Sequence, residues 1–92
     1  MSGFRAPGIC AVVPSHDHWR ALPGVLAALR QAGLETFVVD DGSDAPAAAA
    51  LAALAGPGVR VLRHPARRGK GAAIATGFAA AAAAGFAQAL QI

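Results

Sequence analysis

Short apolar runs alternate with amphipathic or alanine-rich segments along nearly the whole chain. Continuous apolar runs rich in β-branched residues predict strands that are buried on both faces, as in a parallel sheet. Apolar residues at helical spacing, and long runs of alanine, predict helices between them. The predicted strands cover 9–13, 35–40, 59–62 and 89–92, and the predicted helices cover 19–32, 44–56 and 72–84.

The predicted helices carry signals at their ends. We expect Asp17 or His18 to cap the first helix and Gly33 to end it, and Ser43 or Asp44 to cap the second. The resulting order, β-α-β-α-β-α-β with short connections, favours parallel strands joined by right-handed crossovers. The sequence therefore predicts an α/β fold with three layers, in which a parallel sheet is built from alternating β-α units.

The length of 92 residues allows one domain, or one part of a larger domain. We expect a single domain over 1–92 with a flexible terminus over 1–8, which lacks the apolar core of a secretory signal. The chain stops on apolar Ile92 inside a predicted strand. We therefore expect it to be the first part of a longer protein, with an exposed sheet edge available for self-association.

Two further features bear on the compartment. No uninterrupted apolar run reaches the roughly 18–20 residues needed to span a bilayer. A lone cysteine, Cys10, excludes an internal disulfide and fits a reducing compartment, and its place in a predicted strand indicates a small core residue. The cytoplasm is the expected location, with the cytoplasmic face of a membrane as the variant for a longer form.

Charge is polarised along the chain. All five acids lie between Asp17 and Asp44, and five of the eight basic residues lie between Arg60 and Lys70. A basic stretch of this kind can bind phosphates of a nucleic acid, but no aromatic residue interleaves with it. Nucleic acid is therefore not the expected partner, although a non-catalytic α/β module for phosphorylated ligands or nucleic acid stays open as the alternative function.

The densest acidic segment, 38–44, reads Val-Val-Asp-Asp-Gly-Ser-Asp. A strand that ends in acids presents them at its carboxyl end, where open α/β sheets bind ligands. Capping explains Ser43 and Asp44. A cap does not require Asp40 and Asp41, so these two favour binding of ligand hydroxyls or ring N–H groups.

A second motif, Arg-Arg-Gly-Lys-Gly over 67–71, precedes the third predicted helix. Backbone N–H groups at a helix start favour an anion, and the basic side chains add charge. The motif is not a Walker A loop, because His64 stands where that loop needs glycine and Gly71 follows the lysine. A solvated basic loop and a phosphate site are both compatible with it.

His16 and His18 flank Asp17, a spacing that suits zinc ligands in a loop. A third and a fourth ligand are not evident, so no metal site is predicted there.

Taken in order, the segments resemble the start of a family 2 glycosyltransferase with the GT-A fold, in particular its dolichyl-phosphate-mannose-synthase-like members. Residues 11–17 resemble the first-strand pattern, 38–44 resemble the V-D-D-G-S-x-D signature, and 67–73 resemble N-x-G-K-G-x-A. The last residues, 89–92, resemble the strand that runs into the D-x-D metal motif. His16 replaces the usual aromatic residue and Asp17 the usual asparagine.

The resemblance implies transfer of a sugar from a UDP- or GDP-sugar donor. By this resemblance, the nucleoside pocket would be lined by Pro14, Ser15 and Asp17, and the base or the ribose would be bound by Asp40 and Asp41. The nucleotide-binding positions near the diphosphate would be Gly69, Lys70 and Gly71.

The resemblance also implies what these 92 residues lack. The family's Mg²⁺ or Mn²⁺ is held by a D-x-D motif that does not occur here, and its catalytic base is not recognisable either. No residue is therefore predicted to be catalytic, and we expect these 92 residues alone to be inactive. The acceptor, with polyprenyl phosphate and a glycan as candidates, is not indicated.

Overall fold

A four-stranded parallel sheet organises the computed structural model, which describes residues 8–92. The strands lie in the order β3-β2-β1-β4, and every neighbouring pair is parallel. The elements in chain order are β1 (Ile9–Ser15), α1 (Leu22–Gln31), β2 (Glu35–Asp41), α2 (Ala45–Ala52), β3 (Val59–His64), α3 (Lys70–Ala83) and β4 (Gln88–Gln91). The predicted α/β fold is confirmed. The prediction of a flexible terminus over 1–8 falls, except for Gly8, outside the described residues.

Helices cover both faces of the sheet. On the α3 face, Phe37 and Val39 pack with residues of α3, and on the α1/α2 face Val38 packs with Leu26 and Leu51. Successive strand residues point to opposite faces, so the apolar run of β2 supplies both cores. This confirms the three layers, and it confirms burial on both faces for β1 and β2, whereas the edge strands β3 and β4 are only partly buried.

The alanine-rich helix α3 approaches the sheet closely through small residues. Ala73, Gly77 and Ala81 are its buried positions. A Cβ atom at Gly77 would clash with Val12 and lie 3.2 Å from Cγ2 of Val39. The small side chains therefore set the distance between α3 and the strands, and a larger residue at this position would push the helix away.

The first helix begins later than predicted, and its predicted N-terminal caps are wrong, whereas Gly33, with φ of 79°, ends it as predicted. Its N-cap is Ala21, which makes no side-chain capping bond, and the helix starts at Leu22. Asp17, with φ of 60°, instead accepts a hydrogen bond from the N–H of Asp44 at 2.9 Å. A contact with a distant loop has therefore taken the carboxylate that local capping would have used.

The other boundaries differ from the prediction by no more than a few residues. Asp44 caps α2 as predicted, because its carboxylate accepts from the N–H of Ala47 at 3.0 Å. That helix ends at Ala52 rather than near Gly56, in a turn that returns the chain to β3. The third strand runs on to His64, and α3 begins two residues early, at Lys70.

The predictions for Cys10 and for the last strand can be compared with the structure. Cys10 is fully buried, and its burial, together with the nearby Glu35, raises the pKa of the thiol. It is a core residue, as predicted. Strand β4 lies at the edge of the sheet with Leu90 exposed, and self-association through this edge stays a prediction.

Candidate functional site

An open cavity of about 370 Å³ lies at the carboxyl end of the sheet. The ends of β1 and β2 form one wall, and the loop before α3 with the first turn of that helix forms the other. Its lining residues are Pro14, Ser15, His16, His18, Asp41, Arg67, Lys70 and Ala73. The cavity therefore joins the three segments that carry the sequence motifs.

Asp41 lies at the centre of the site, but protein donors surround its carboxylate. Oδ1 accepts from Nδ1–H of His64 and from the N–H of Arg68, both at 2.8 Å, and Oδ2 accepts from the N–H of Gly69 at 2.8 Å. The hydrogen bond from His64, then those from Arg68 and Gly69, lower the pKa of Asp41 to about 2, against the opposing effect of burial. The group is an ionised carboxylate that is already engaged by the fold.

His64 is a buried polar residue of the site that was not among the predicted binding positions. It lies directly beside Asp41 in the pairing of β2 with β3, and its Nε2 is 2.8 Å from Oγ1 of Thr76 in α3. Because the ionised Asp41 carboxylate can only accept, Nδ1 of His64 donates to it, and the hydrogen bond between Nε2 and Thr76 anchors the other side of the ring. A prediction that the third strand continues beyond Leu62 would have placed His64 at its end, beside the acids at the end of β2.

Asp40 points to the opposite face of the sheet and does not line the cavity. Its Oδ1 accepts from the N–H of Ser43 at 2.9 Å, and its Oδ2 is 2.6 Å from Nη1 of Arg63. Arg63 also donates to the carbonyl oxygen of Ser43 at 3.3 Å. Asp40 therefore holds the start of the β2–α2 loop together.

Two loops at this end of the sheet are bound to each other. The N–H of Asp17 donates to Oγ of Ser43 at 2.8 Å, and the Asp17 carboxylate accepts from Asp44. Nδ1 of His16 lies 2.7 Å from the carbonyl oxygen of Asp41, so this nitrogen carries a proton. The β1–α1 loop is thereby fixed over the end of β2, with the half-buried His16 ring against the cavity.

The basic wall begins in the segment before α3. Gly69 is the N-cap, with φ of 102°, and the helix has no side-chain cap. Uncapped N–H groups in a first helical turn are available to a bound anion, and the helix dipole favours one there. Arg67 and Lys70 are exposed and line the cavity at this point.

Gly42 allows the acidic and basic loops to touch. Its φ is 73°, and a Cβ atom there would clash with the backbone N of Arg67 and lie 2.6 Å from the carbonyl carbon of Ala66. Both the left-handed backbone and this close approach require glycine.

The structure thus divides the positions that the sequence analysis singled out. Pro14, Ser15, Asp41 and Lys70 come together around the cavity. The other four lie beside it without lining it: they are Asp17, Asp40, Gly69 and Gly71. The part that any of these residues plays in binding stays a prediction.

The described residues do not fit a divalent cation. Within 8–92, no group of three or more His, Cys, Asp or Glu side chains is placed to hold a metal ion. The Asp40 carboxylate pairs with Arg63, and the Asp41 carboxylate accepts three hydrogen bonds. Neither group is therefore arranged as an open metal ligand.

A comparison with protein families decides what kind of domain this is. The family model described as Glycosyl transferase family 2 matches residues 10–84, well over half of the chain. The chain belongs to this family. No curated protein and no solved structure matches it significantly. The match to family 2 runs from β1 through α3, so it covers all three segments around the cavity.

Among residues 8–92 of this family 2 domain, the structure shows no helix that is long and apolar enough to cross a membrane.

Proposed function

We propose that the cavity binds the nucleotide part of a UDP- or GDP-sugar, and that the protein supplies this donor site to a glycosyltransferase reaction. The observation that carries the proposal is the placement of Arg67 and Lys70, at the uncapped start of α3, across the cavity from the β1–α1 loop in a family 2 domain.

The charge on the cavity wall favours an anion. Among the described residues, the one carboxylate that lines it is Asp41, which accepts hydrogen bonds from His64 and from two backbone N–H groups. Within residues 8–92, the cavity wall carries no second acid beside Arg67 and Lys70. A diphosphate placed between them would receive charge-assisted hydrogen bonds, which are about twice as strong as neutral ones.

The shape of the cavity suits a nucleoside on its other side. About 370 Å³ falls within the usual range of small-ligand sites, roughly 300–1,000 Å³. Pro14, Ser15 and the half-buried ring of His16 line this side, where a base could pack against the two rings. His18, which is exposed, also lines the cavity.

The proposed reaction needs groups beyond this site. A metal ion, where the family uses one, neutralises charge on the leaving diphosphate. The described residues do not fit such an ion, so the proposal assigns them donor binding only. We propose that the acceptor is a polyprenyl phosphate or a glycan, and that the protein is similar to dolichyl-phosphate-mannose synthases. The proposed location is the cytoplasm.

Titration of the 92-residue chain with UDP and GDP, followed by NMR and calorimetry, tests the donor site. We expect saturable binding, with amide shifts at Ser15, Asp41 and Lys70. Arg67→Ala and Lys70→Ala should each weaken binding about tenfold, because each removes one charged hydrogen bond. Arg30→Ala is the matched control, since Arg30 is exposed and bonds to the carbonyl of Pro57, away from the cavity.

Three outcomes would contradict the proposal. One is a lack of saturable binding, and a second is equal affinity in the Lys70→Ala variant and the Arg30→Ala control. The third is oligonucleotide binding with a steep salt dependence and no response to UDP or GDP, which would favour the non-catalytic module for phosphorylated ligands or nucleic acid.

A further inference from the structure

The loop between β3 and α3 carries its charged side chains without a packed core of its own. Residues 65–68 are all exposed, and Arg67 and Arg68 lie among them. Side-chain packing therefore cannot fix this loop, and its backbone contacts must do so. Two of those contacts are the hydrogen bonds from the N–H groups of Arg68 and Gly69 to Asp41.

The Asp41 carboxylate is itself held from behind. His64 Nδ1 bonds to Oδ1 of Asp41 at 2.8 Å, and His64 Nε2 bonds to Thr76 in α3 at 2.8 Å. His64 and Asp41 are 5% and 3% exposed, so water has little access to this chain of hydrogen bonds. Neither His64 nor Thr76 lines the cavity, so neither is placed to touch a ligand there.

We propose that His64 is a positioning residue of the donor site: anchored on Thr76, it fixes the Asp41 carboxylate so that this group holds the loop carrying Arg67 and leading into Lys70. On this view Asp41 acts mainly on the loop, and its effect on a nucleotide diphosphate passes through the placement of the two cations. The ligand part of this inference rests on the proposed function, whereas the hold on the loop does not.

Two substitutions of similar size separate the two ends of His64. In His64→Asn, the side-chain amide N–H₂ lies near the place of Nδ1 and can still donate to Asp41. In His64→Gln, the amide reaches towards Thr76, and the donor to Asp41 is lost. A second pair changes the anchor: Thr76→Ser keeps the hydroxyl, and Thr76→Val removes it at nearly constant volume. Thr36→Val, at a buried position in the amino-terminal half of β2, is the control for general destabilisation.

Hydrogen exchange of the Arg68 and Gly69 amides, measured by NMR without ligand, is the first readout. The amide of Ala73, which bonds to Gly69 within the first turn of α3, is the internal reference for folding. We expect His64→Gln to lose about tenfold in protection at Arg68 and Gly69 relative to Ala73, whereas His64→Asn and Thr76→Ser stay within about twofold of the parent chain. Thr76→Val should lie between these, because it leaves Nε2 of the buried imidazole without its partner, an atom that the shorter asparagine does not have. Thr36→Val should leave the ratio unchanged.

The side-chain carboxyl ¹³C shift of Asp41 gives a second readout that a merely structural role would not move. The hydrogen bond from His64 is the largest cause of the low pKa of Asp41. The titration midpoint of Asp41 should therefore rise in His64→Gln and stay at about 2 in His64→Asn. The charged or titratable groups that contact Asp41 or line the cavity with it are His64, His16, His18, Arg67 and Lys70. Only the first of these differs between the two variants.

UDP and inorganic pyrophosphate are the probes of the third readout, in which His64→Gln should bind both about tenfold more weakly than His64→Asn. The proposal is overturned if a folded His64→Gln keeps the protection of Arg68 and Gly69, or if His64→Asn is damaged equally. Should His64→Gln not fold, equal protection in Thr76→Val and Thr76→Ser overturns the anchor in the same way. If the parent chain binds neither probe, the proposed function fails, and the exchange data still decide the hold on the loop.

Discussion

The two faces of the sheet end in adjacent carboxylates that the fold uses differently. On the α1/α2 face, Asp40 binds Ser43 and Arg63, which belong to its own loop and the neighbouring strand. On the α3 face, Asp41 binds His64 and the backbone of the loop that leads into α3. Successive side chains of a strand point to opposite faces, so the neighbouring residues Asp40 and Asp41 bind different loops.

This difference shows why the pair is not redundant. Asp40 closes the β2–α2 loop on itself, and Asp41 joins that region to the basic segment. The two loops also approach within contact distance at Gly42. The site is therefore assembled by backbone approach and by internal hydrogen bonds, which leaves the cations as its accessible charged groups.

The largest expected effect comes from Gly42→Ala, which would break the contact between the acidic and basic loops. The new Cβ adds left-handed backbone strain, typically about 1–3 kcal/mol, and also clashes with the backbone at Ala66 and Arg67. We expect a stability loss above that range in urea unfolding, and loss of UDP binding. Gly58→Ala is the matched control, since Gly58 has φ of 78° and open space around it. Equal losses in the two variants would show that the loop contact does not matter.

Gly77→Ala tests the α3 face alone and should have the next largest effect. The added methyl group would overpack the helix against Val12 and Val39, at a cost of about 1–3 kcal/mol. Gly24→Ala, on the exposed side of α1 with open space around it, should be neutral or stabilising by up to about 1 kcal/mol. Thermal unfolding of both variants measures the difference. A Gly77→Ala chain as stable as Gly24→Ala would mean that α3 is not held close to the sheet.

The sequence predicted the sheet well because burial on both faces leaves continuous apolar runs, which a sequence displays directly. The site was harder to predict, since several of its contacts, such as those of Asp41 with His64 and Arg68, join residues that are more than 20 positions apart. Asp17 has the right chemistry to cap α1, yet Asp44, 27 residues away, binds it. Likewise, Asp40 and Asp41 look alike in the sequence. They differ in the face of the sheet to which each side chain points, and in that Asp41 pairs with His64 of β3.

The pH dependence of stability sharpens the comparison of the two carboxylates. The folded-state pKa of Asp41, about 2, lies below the ordinary value of 3.8, so its hydrogen bonds stabilise the ionised form. This contribution is fully present above about pH 5 and is lost as the pH falls towards 2. We expect Asp41→Asn to lose this part of the acid dependence in urea unfolding between pH 2 and 5. Asp40→Asn is the comparison, because Asp41 keeps its three donors there. An unchanged acid profile in Asp41→Asn would contradict the assignment.

The smallest effect is expected for Arg63→Gln, on the α1/α2 face. Arg63 is 43% exposed while Asp40 is buried, so water can reach the space that the guanidinium leaves and replace part of its hydrogen bond. The expected loss is therefore below about 1.5 kcal/mol, less than a fully buried charge pair would give. The Arg68 and Gly69 amides should keep their exchange protection, because their acceptor lies on the other face. Loss of protection at those amides would show that the faces are coupled through β2, and that Asp40 also helps to place the basic loop.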